Sequence, residues 1–138
     1  MALDVSKAIY KLLSADSTLT AQIGTRIAPQ EARESWTQPY LTYFVVSDPP
    51  THAMGVDPSI GNPRVQIDVW AGTYGGARSV AKKVIGVIRD YQGTVTVSST
   101  ALIIQRIFYE GQVEMKETDL EDNTVTYHIA QDYIVWHS

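Results

Sequence analysis

Histidine and carboxylate side chains are the groups in this sequence that could support acid–base or metal chemistry. The three histidines, His52, His128 and His137, form neither the i, i+4 pair of a helical zinc site nor an H-E-x-x-H motif. The chain contains no cysteine, which excludes thiol nucleophiles and Cys-based metal sites, and no serine stands in a G-x-S-x-G motif. We therefore expect no metal site, no cofactor and three partly exposed histidines.

Two aspartates fall on predicted strands. Asp68 and Asp132 would form a carboxylate pair if their strands are neighbours, and a hydrolase would need His128 to converge with them. The alternation around Asp68 instead places it on the polar side of its strand beside Gln66, which favours a solvated carboxylate or one in an interface. The segment Gly72–Gly76 could hold an anion before a predicted helix, but it lacks the Lys-Ser/Thr of a phosphate loop. We predict that the protein is not an enzyme.

Size and charge limit the class of protein further. The 138 residues, 44% hydrophobic and 19% charged, predict one globular domain spanning 1–138. Fifteen acidic residues against 11 basic ones give a net charge of −4, which argues against nonspecific nucleic-acid binding as the main activity. No apolar run approaches the roughly 20 residues that cross a bilayer, and residues 1–7 lack the pattern of a secretory signal. We expect a soluble intracellular protein without a membrane partner.

Hydrophobic periodicity outlines the elements that must position these groups. Apolar residues at three- and four-residue spacing predict helices over 3–15, 19–23 and 74–91. Gly93 is expected to close the last helix. Alternating or β-branched segments predict strands over 26–28, 40–47, 64–70, 94–98, 102–110 and 124–136. The alternation of the final strand slips near Ala130-Gln131, which suggests a bulge or a two-sided strand.

This order of elements predicts an α+β fold. We expect a mostly antiparallel sheet with a long helix and a shorter N-terminal helix packed on one face. The connection between the strands at 40–47 and 64–70 suits a hairpin, so those two strands should be antiparallel neighbours.

Two segments follow no helix or strand pattern. Asp48–Pro63 contains four prolines and two glycines and is longer than ordinary connections, and loops of that length are usually functional. Glu110–Asn123 is polar, with six acids against the single base Lys116. It is either a solvated loop, an arm that docks on a neighbouring subunit, or a negative lining that faces DNA. The candidate interface residues in these segments are His52, Met54, Glu114, Lys116, Glu117, Asp119, Glu121 and Asp122.

The three tryptophans, Trp36, Trp70 and Trp136, also raise the question of an interface. Trp70 falls on the polar side of its predicted strand, where an exposed indole is unfavourable unless a second layer or another chain covers it. We interpret Trp70 either as core on the second side of the sheet or as an interface anchor. Trp70 and Asp68 therefore join the candidate interface residues.

Several blocks of the sequence, taken in order, resemble one family. They are Leu12–Asp16 with Leu19–Ile27, Pro39–Tyr43, Arg64–Ala71, Thr73–Arg78 with the helix behind it, and Asp132–His137. In these blocks the chain is similar to the small phage tail-completion proteins, also described as tail terminators or head–tail joining proteins. The resemblance covers nearly the whole chain. The segment Glu110–Asn123 does not follow it, so no role for that segment is implied.

The resemblance implies a structural virion protein of a long-tailed phage or prophage. Such a protein caps the head-proximal end of the tail tube, stops its growth and docks the tail on the head connector. The implied assembly is a homo-oligomer, a hexameric ring through which DNA passes without sequence-specific binding, in contact with the tail tube protein and the head connector or stopper protein. The alternative is a small-molecule or peptide-binding α+β module, in which Trp70 and the Pro-rich loop form a pocket.

Overall fold

The sequence folds into the predicted α+β arrangement, seen here in a computed structural model that describes residues 2–29, 38–48, 61–118, 120–121 and 123–137. Within these ranges the helices are α1 (Ala2–Ala15), α2 (Ser17–Ile23) and α3 (Tyr74–Ile88). The strands are β1 (Ile27–Pro29), β2 (Tyr40–Ser47), β3 (Arg64–Ala71), β4 (Gly93–Val97), β5 (Thr100–Thr118) and β6 (Val125–His137). They form one sheet in the order β1-β2-β3-β6-β5-β4, in which only the β1–β2 pair is parallel.

The sheet has two chemically different sides, because successive side chains of a strand point to opposite faces. We call the side that packs on the helices the helix face. It carries apolar residues of the central strands, among them Ile67 and Val69 of β3 and Ile129 and Tyr133 of β6. The other side, the second face, carries Gln66, Asp68 and Trp70 of β3, as the predicted alternation requires.

The helices bury their apolar stripes against the helix face. The buried residues of α3 are Ala77, Val80, Ala81, Val84 and Ile88, and they recur at the spacing of one helical face. A polar contact fixes α3 over the sheet: buried Gln131 of β6 donates its side-chain amide to the carbonyl of Ala81 at 3.1 Å and accepts from the Tyr133 hydroxyl at 2.8 Å. No helix of the described residues is long and apolar enough to cross a membrane.

The predicted end of α3 is wrong. The helix ends at Ile88, three residues before Tyr91, because Arg89 takes an extended backbone and Asp90 a positive φ of 59°. The amide of Asp90 then donates to the carbonyl of Ile107 at 2.8 Å, which ties the turn to β5. Gly93 begins β4 and does not cap the helix. At 15 and 14 residues, α3 and α1 are nearly equal in length.

The segment 110–118 is a strand and not a solvated loop. β5 is 19 residues long, and its pairing with β6 continues as far as Thr118, which lies opposite Val125. The alternation of β6 also holds through Gln131, whose side chain is simply a polar one on the helix face. The irregularities lie in β5 instead, where the register shifts between Ile104 and Arg106 and between Tyr109 and Gly111.

Asp16 caps α2, and its removal should weaken the fold. Its carboxylate accepts from the Leu19 amide at 2.9 Å and the Thr18 hydroxyl at 2.6 Å, and the Thr18 bond first, then Leu19, lowers the pKa of Asp16. We expect Asp16→Ala to reduce the free energy of unfolding by about 1 kcal/mol at pH 7. Asp16→Asn, which keeps a capping oxygen, should lose less.

The same cap should weaken in acid. A lowered folded pKa stabilises the chain above the unfolded value of about 3.9 and loses that effect as pH falls through the folded pKa. In urea unfolding from pH 7 to pH 2, the gap between wild type and Asp16→Ala should therefore narrow below about pH 4. A gap of constant size would contradict this role of the carboxylate.

Alanine substitution at two glycines with open space around them should change the free energy of unfolding in opposite directions. Gly111 follows the shift in β5 and has φ +143°, a backbone that L side chains rarely adopt, whereas Gly86 lies on the exposed side of α3. Neither would bring an added Cβ within 4 Å of other atoms. Gly111→Ala should lower the free energy of unfolding by about 1–3 kcal/mol, and Gly86→Ala should raise it by about 0.5–1 kcal/mol. Chemical denaturation checks both, and equal effects would show that backbone strain is absent at Gly111.

Candidate assembly surfaces

The acidic part of the hairpin formed by β5 and β6 is fixed to the start of α3. The Tyr74 hydroxyl donates to Glu114 Oε2 at 2.9 Å and accepts from Arg78 Nη1 at 2.8 Å, while Arg78 Nη1 lies 3.7 Å from Glu114 Oε1. The bond to Tyr74 is the main cause of a raised pKa at Arg78. The ring of Tyr127 meets the ring of Tyr74 edge-on, with centroids 5.8 Å apart. The hairpin therefore has a defined position relative to the helices.

Acidic and basic side chains are concentrated on different surfaces of the chain, and these surfaces meet at the Arg78–Glu114 ion pair. On the part of the hairpin between Glu110 and Glu121, the exposed acids Glu110, Glu114, Glu117 and Glu121 accompany the single exposed base Lys116. The helix α3 carries Arg78, Lys82 and Lys83 and no acidic residue, and α1 adds Lys7 and Lys11. An acidic hairpin and a basic helix layer make two surfaces that are complementary to each other.

A groove runs between α3 and the outer edge of β5. Its volume is about 490 Å³, and its lining includes Arg78, Ser79, Lys82 and Ile85 of the helix and Gln112 of the strand. β4 pairs only with Thr100–Ile104 of β5, so among the described strands the rest of β5 has β6 as its partner on one side. The outer edge of β5 thus forms one wall of a basic groove.

The second face carries a buried polar cluster around Trp70. The Trp70 indole stacks on the His128 ring, with centroids 3.8 Å apart and planes 11° apart, and its Nε1 donates to Thr42 Oγ1 at 3.0 Å. His128 Nε2 lies 2.8 Å from Asp68 Oδ1, which also accepts from Gln66 Nε2 at 2.8 Å. Asp68 is 5% exposed and His128 is 8% exposed. The cluster is a packed hydrogen-bonded unit between β2, β3 and β6.

This cluster corrects two expectations. Asp68 lies on the side that its alternation predicts, yet it is buried, so the solvated alternative is wrong. His128 and His137 are also buried, which contradicts the expectation of partly exposed histidines. Asp68 and His128 do converge, whereas Asp132 lies directly opposite Gln66 in the register. The register between β3 and β6 does not follow from the local sequence, so the pairing of Trp70 with His128 could not be predicted.

A row of apolar side chains also lies exposed on the second face. Ile103, Phe108, Val113 and Met115 of β5 are 40–59% exposed, and the residues that pair with the last three are Ile134, Ala130 and His128 of β6. Val113 and Met115 lie two residues apart on this face, and neighbouring exposed apolar residues are typical of surfaces that contact other proteins. Sequence reasoning missed Val113 and Met115 because the Glu-rich stretch around them does not show the pattern of a strand, whereas Ile103 and Phe108 lie in the predicted strand over 102–110.

The structure places the predicted interface residues in different parts of the fold. Trp70 and Asp68 lie in the second-face cluster, while Glu114, Lys116, Glu117 and Glu121 lie on the hairpin. The predicted residues His52, Met54, Asp119 and Asp122 lie outside the described residues.

Burial, then the charge of Glu117, raises the pKa of Tyr40, which packs beside Trp70, so the hairpin and the cluster are neighbours. Across the described part of the chain, no group of three His, Asp or Glu side chains could hold a metal ion.

Separated charges and an exposed apolar row define a class of protein: a subunit that assembles with other protein chains. The comparison with protein families agrees. The family described as "Tail completion protein gp17" matches residues 7–138, and the chain belongs to this family. It is therefore a structural protein of the bacteriophage tail, found in the virion in association with other particle proteins.

Two solved structures share this fold. A chain from the virion of a native gene transfer agent particle superposes with a TM-score of 0.74 at 12% identity, covering 99% of this chain and 97% of that one. A second solved protein, known only by a sequence designation, has a TM-score of 0.55 at 18% identity, covering 95% and 92%. At these identities the likeness concerns the fold alone. No curated protein matches the chain.

Removing one partner of the buried Asp68–His128 pair should destabilise the fold strongly. His128→Leu leaves the Asp68 carboxylate buried without its main partner, and we expect a loss of roughly 3–5 kcal/mol in the free energy of unfolding. The double variant Asp68→Val/His128→Leu should recover most of that loss, because it leaves no unpaired charge. Urea unfolding of wild type, both single variants and the double variant measures the coupling. A double variant no more stable than His128→Leu would contradict the pairing.

Proposed function

We propose that this chain caps the head-proximal end of the phage tail tube and joins the tail to the head connector, as a hexameric ring around the DNA channel. The observation that carries the proposal is the match of residues 7–138 to a tail-completion family. A fold shared with a chain of a gene transfer agent virion supports it. The ring size and the head-proximal position come from the resemblance to tail terminators.

The shape of the sheet suits a subunit that joins two different partners. Because β2 and β3 are antiparallel, with Ser47 opposite Arg64, β2 ends and β3 begins at the same end of the sheet, where Gly61 bridges His137. The turn between Thr118 and Val125 lies at the opposite end. We assign the contact with the tail tube or the connector to the first end, and the contact with a neighbouring copy of the chain to the second. By their places in the sequence, we propose His52 and Met54 for the first contact and Asp119 and Asp122 for the second.

A hexameric ring needs heterologous contacts, in which each subunit uses two different surfaces. The acidic hairpin and the basic helix layer supply such a pair of surfaces. The exposed apolar row on β5 adds area that water should leave on association. DNA in the channel would pass without sequence-specific binding, since a surface rich in acids repels phosphates and lets the duplex slide.

We infer a structural role for Asp68 and His128, the pair of described side chains that resembles catalytic machinery. The Asp68–His128 pair is closed by Trp70, whose ring covers the imidazole at 3.8 Å, and it joins three strands. A general base must reach the substrate proton within hydrogen-bond distance. The His128 imidazole is buried and stacked on Trp70, so a substrate could not reach its nitrogen atoms. We therefore propose neither catalysis nor a cofactor.

Electron microscopy of particles that lack this gene tests the proposal. Without the chain, we expect DNA-filled heads apart from tails, with many tails of abnormal length, because nothing ends tube growth or links the tail to the connector. Supplying the wild-type gene in trans should restore joined virions. His128→Leu, which should destabilise the fold, should restore fewer than the double variant Asp68→Val/His128→Leu.

Two results would count against the proposal. Normal, joined virions without the gene would overturn the tail-completion function and favour a ligand-binding module instead. Heads that remain empty of DNA would place the defect before tail joining and would also overturn it.

A further inference from the structure

The groove between α3 and β5 is basic, whereas the far end of the hairpin on the same chain is acidic. Lys82 projects into this groove, and among the described residues no carboxylate lies within salt-bridge distance of its amine. Lys83, in contrast, donates to Gln22 Oε1 of α2 at 2.6 Å and does not line the groove. Glu117 and Glu121, at the end of the hairpin, are exposed.

These opposite charges cannot meet within one chain. α3 runs antiparallel to β5, because Tyr74 at its start contacts Glu114, whereas Asp90 just after its end contacts Ile107, which comes earlier in β5. From the Tyr74–Glu114 contact, Lys82 is eight residues away along the helix, about 12 Å in one direction. Glu117 is three residues away along the strand, about 10 Å in the other. The two charges of one chain are therefore roughly 20 Å apart, too far for a salt bridge.

We propose that this groove receives the hairpin end, with Glu117 and Glu121, of a second copy of the chain. The contact rests on the proposed ring and specifies its interface. Each copy offers one acidic end and one basic groove, so the contact is heterologous and can repeat around a closed ring. Charge complementarity orients the two surfaces, and the outer edge of β5 offers backbone groups beside Lys82 to the incoming hairpin.

Cysteine cross-linking in assembled particles tests this contact. The chain has no natural cysteine, so only the introduced cysteines of this protein can react. Particles are produced with the variant Lys82→Cys/Glu121→Cys and treated with a short bis-maleimide. Because each copy carries both halves of the contact, we expect a ladder of multimers on denaturing gels. Lys82→Cys or Glu121→Cys alone should give monomers. Glu121→Cys combined with Thr96→Cys, an exposed position on β4, is the matched control and should also stay monomeric.

The outcomes separate this interface from the proposed function. Dimers from Glu121→Cys alone would mean that two hairpin ends meet, which overturns the groove contact. Particles that contain the chain but give no ladder would overturn it as well, while the tail-completion function stands. Absence of the wild-type chain from joined particles would instead overturn the proposed function itself.

A charge exchange tests the same contact without cysteines. Lys82→Glu and Glu117→Lys/Glu121→Lys should each reduce the yield of joined virions at least tenfold, because like charges then face each other. The combined variant should restore most of the yield. Lys7→Glu, which changes the same charge on α1 outside the groove, should have little effect. Failure of the combined variant to recover would overturn the proposed pairing, provided that its circular dichroism matches the wild type.

Discussion

The pairing of β6 on both of its edges is the constraint on which the rest of the structure depends. β3 covers one edge over eight residue pairs and β5 covers the other from His137 to Val125, so every side chain of β6 must fit one face or the other. On the helix face this places Gln131 against α3, where it bonds Ala81 and Gln112. On the second face it places His128 against Trp70 and Asp68. The position of α3, the groove beside it and the polar cluster all follow from this one strand.

The buried polar side chains Gln131 and His128 of β6 stabilise the fold only while their hydrogen-bond partners are present. A buried amide or imidazole loses its hydration on folding, and only well-placed hydrogen bonds compensate for that loss. Gln131 meets this requirement with Ala81, Gln112 and Tyr133. His128 meets it only in part: Nε2 contacts Asp68, whereas the buried Nδ1 has no hydrogen-bond partner among the described residues. Such groups disfavour shifted registers, because a slip of one residue would move them to the wrong face.

The sequence predicted those parts of the fold in which burial imposes a pattern. The strand at Tyr40–Ser47 was predicted at its observed bounds, and Arg64–Trp70 falls one residue short, because both pair on two sides and alternate between faces. The strand at Glu110–Thr118 was missed because it is an edge with both faces exposed, where polar residues are as suitable as in a loop. The Asp68–His128 contact was missed because strand register comes from the whole sheet and not from local sequence.

A net negative charge does not prevent copies of this chain from associating, because the interaction depends on which surfaces meet. The long exposed edge of β5 is a site where unintended strand pairing begins, and its three glutamates, Glu110, Glu114 and Glu117, oppose approach by another acidic edge. The same glutamates are attracted by the lysines of the helix layer. At physiological ionic strength, charges separated by more than about 8 Å are largely screened, so the attraction acts only where surfaces fit closely. The charge pattern thus disfavours like-to-like contact between edges and favours head-to-tail contact, the geometry that a closed ring requires.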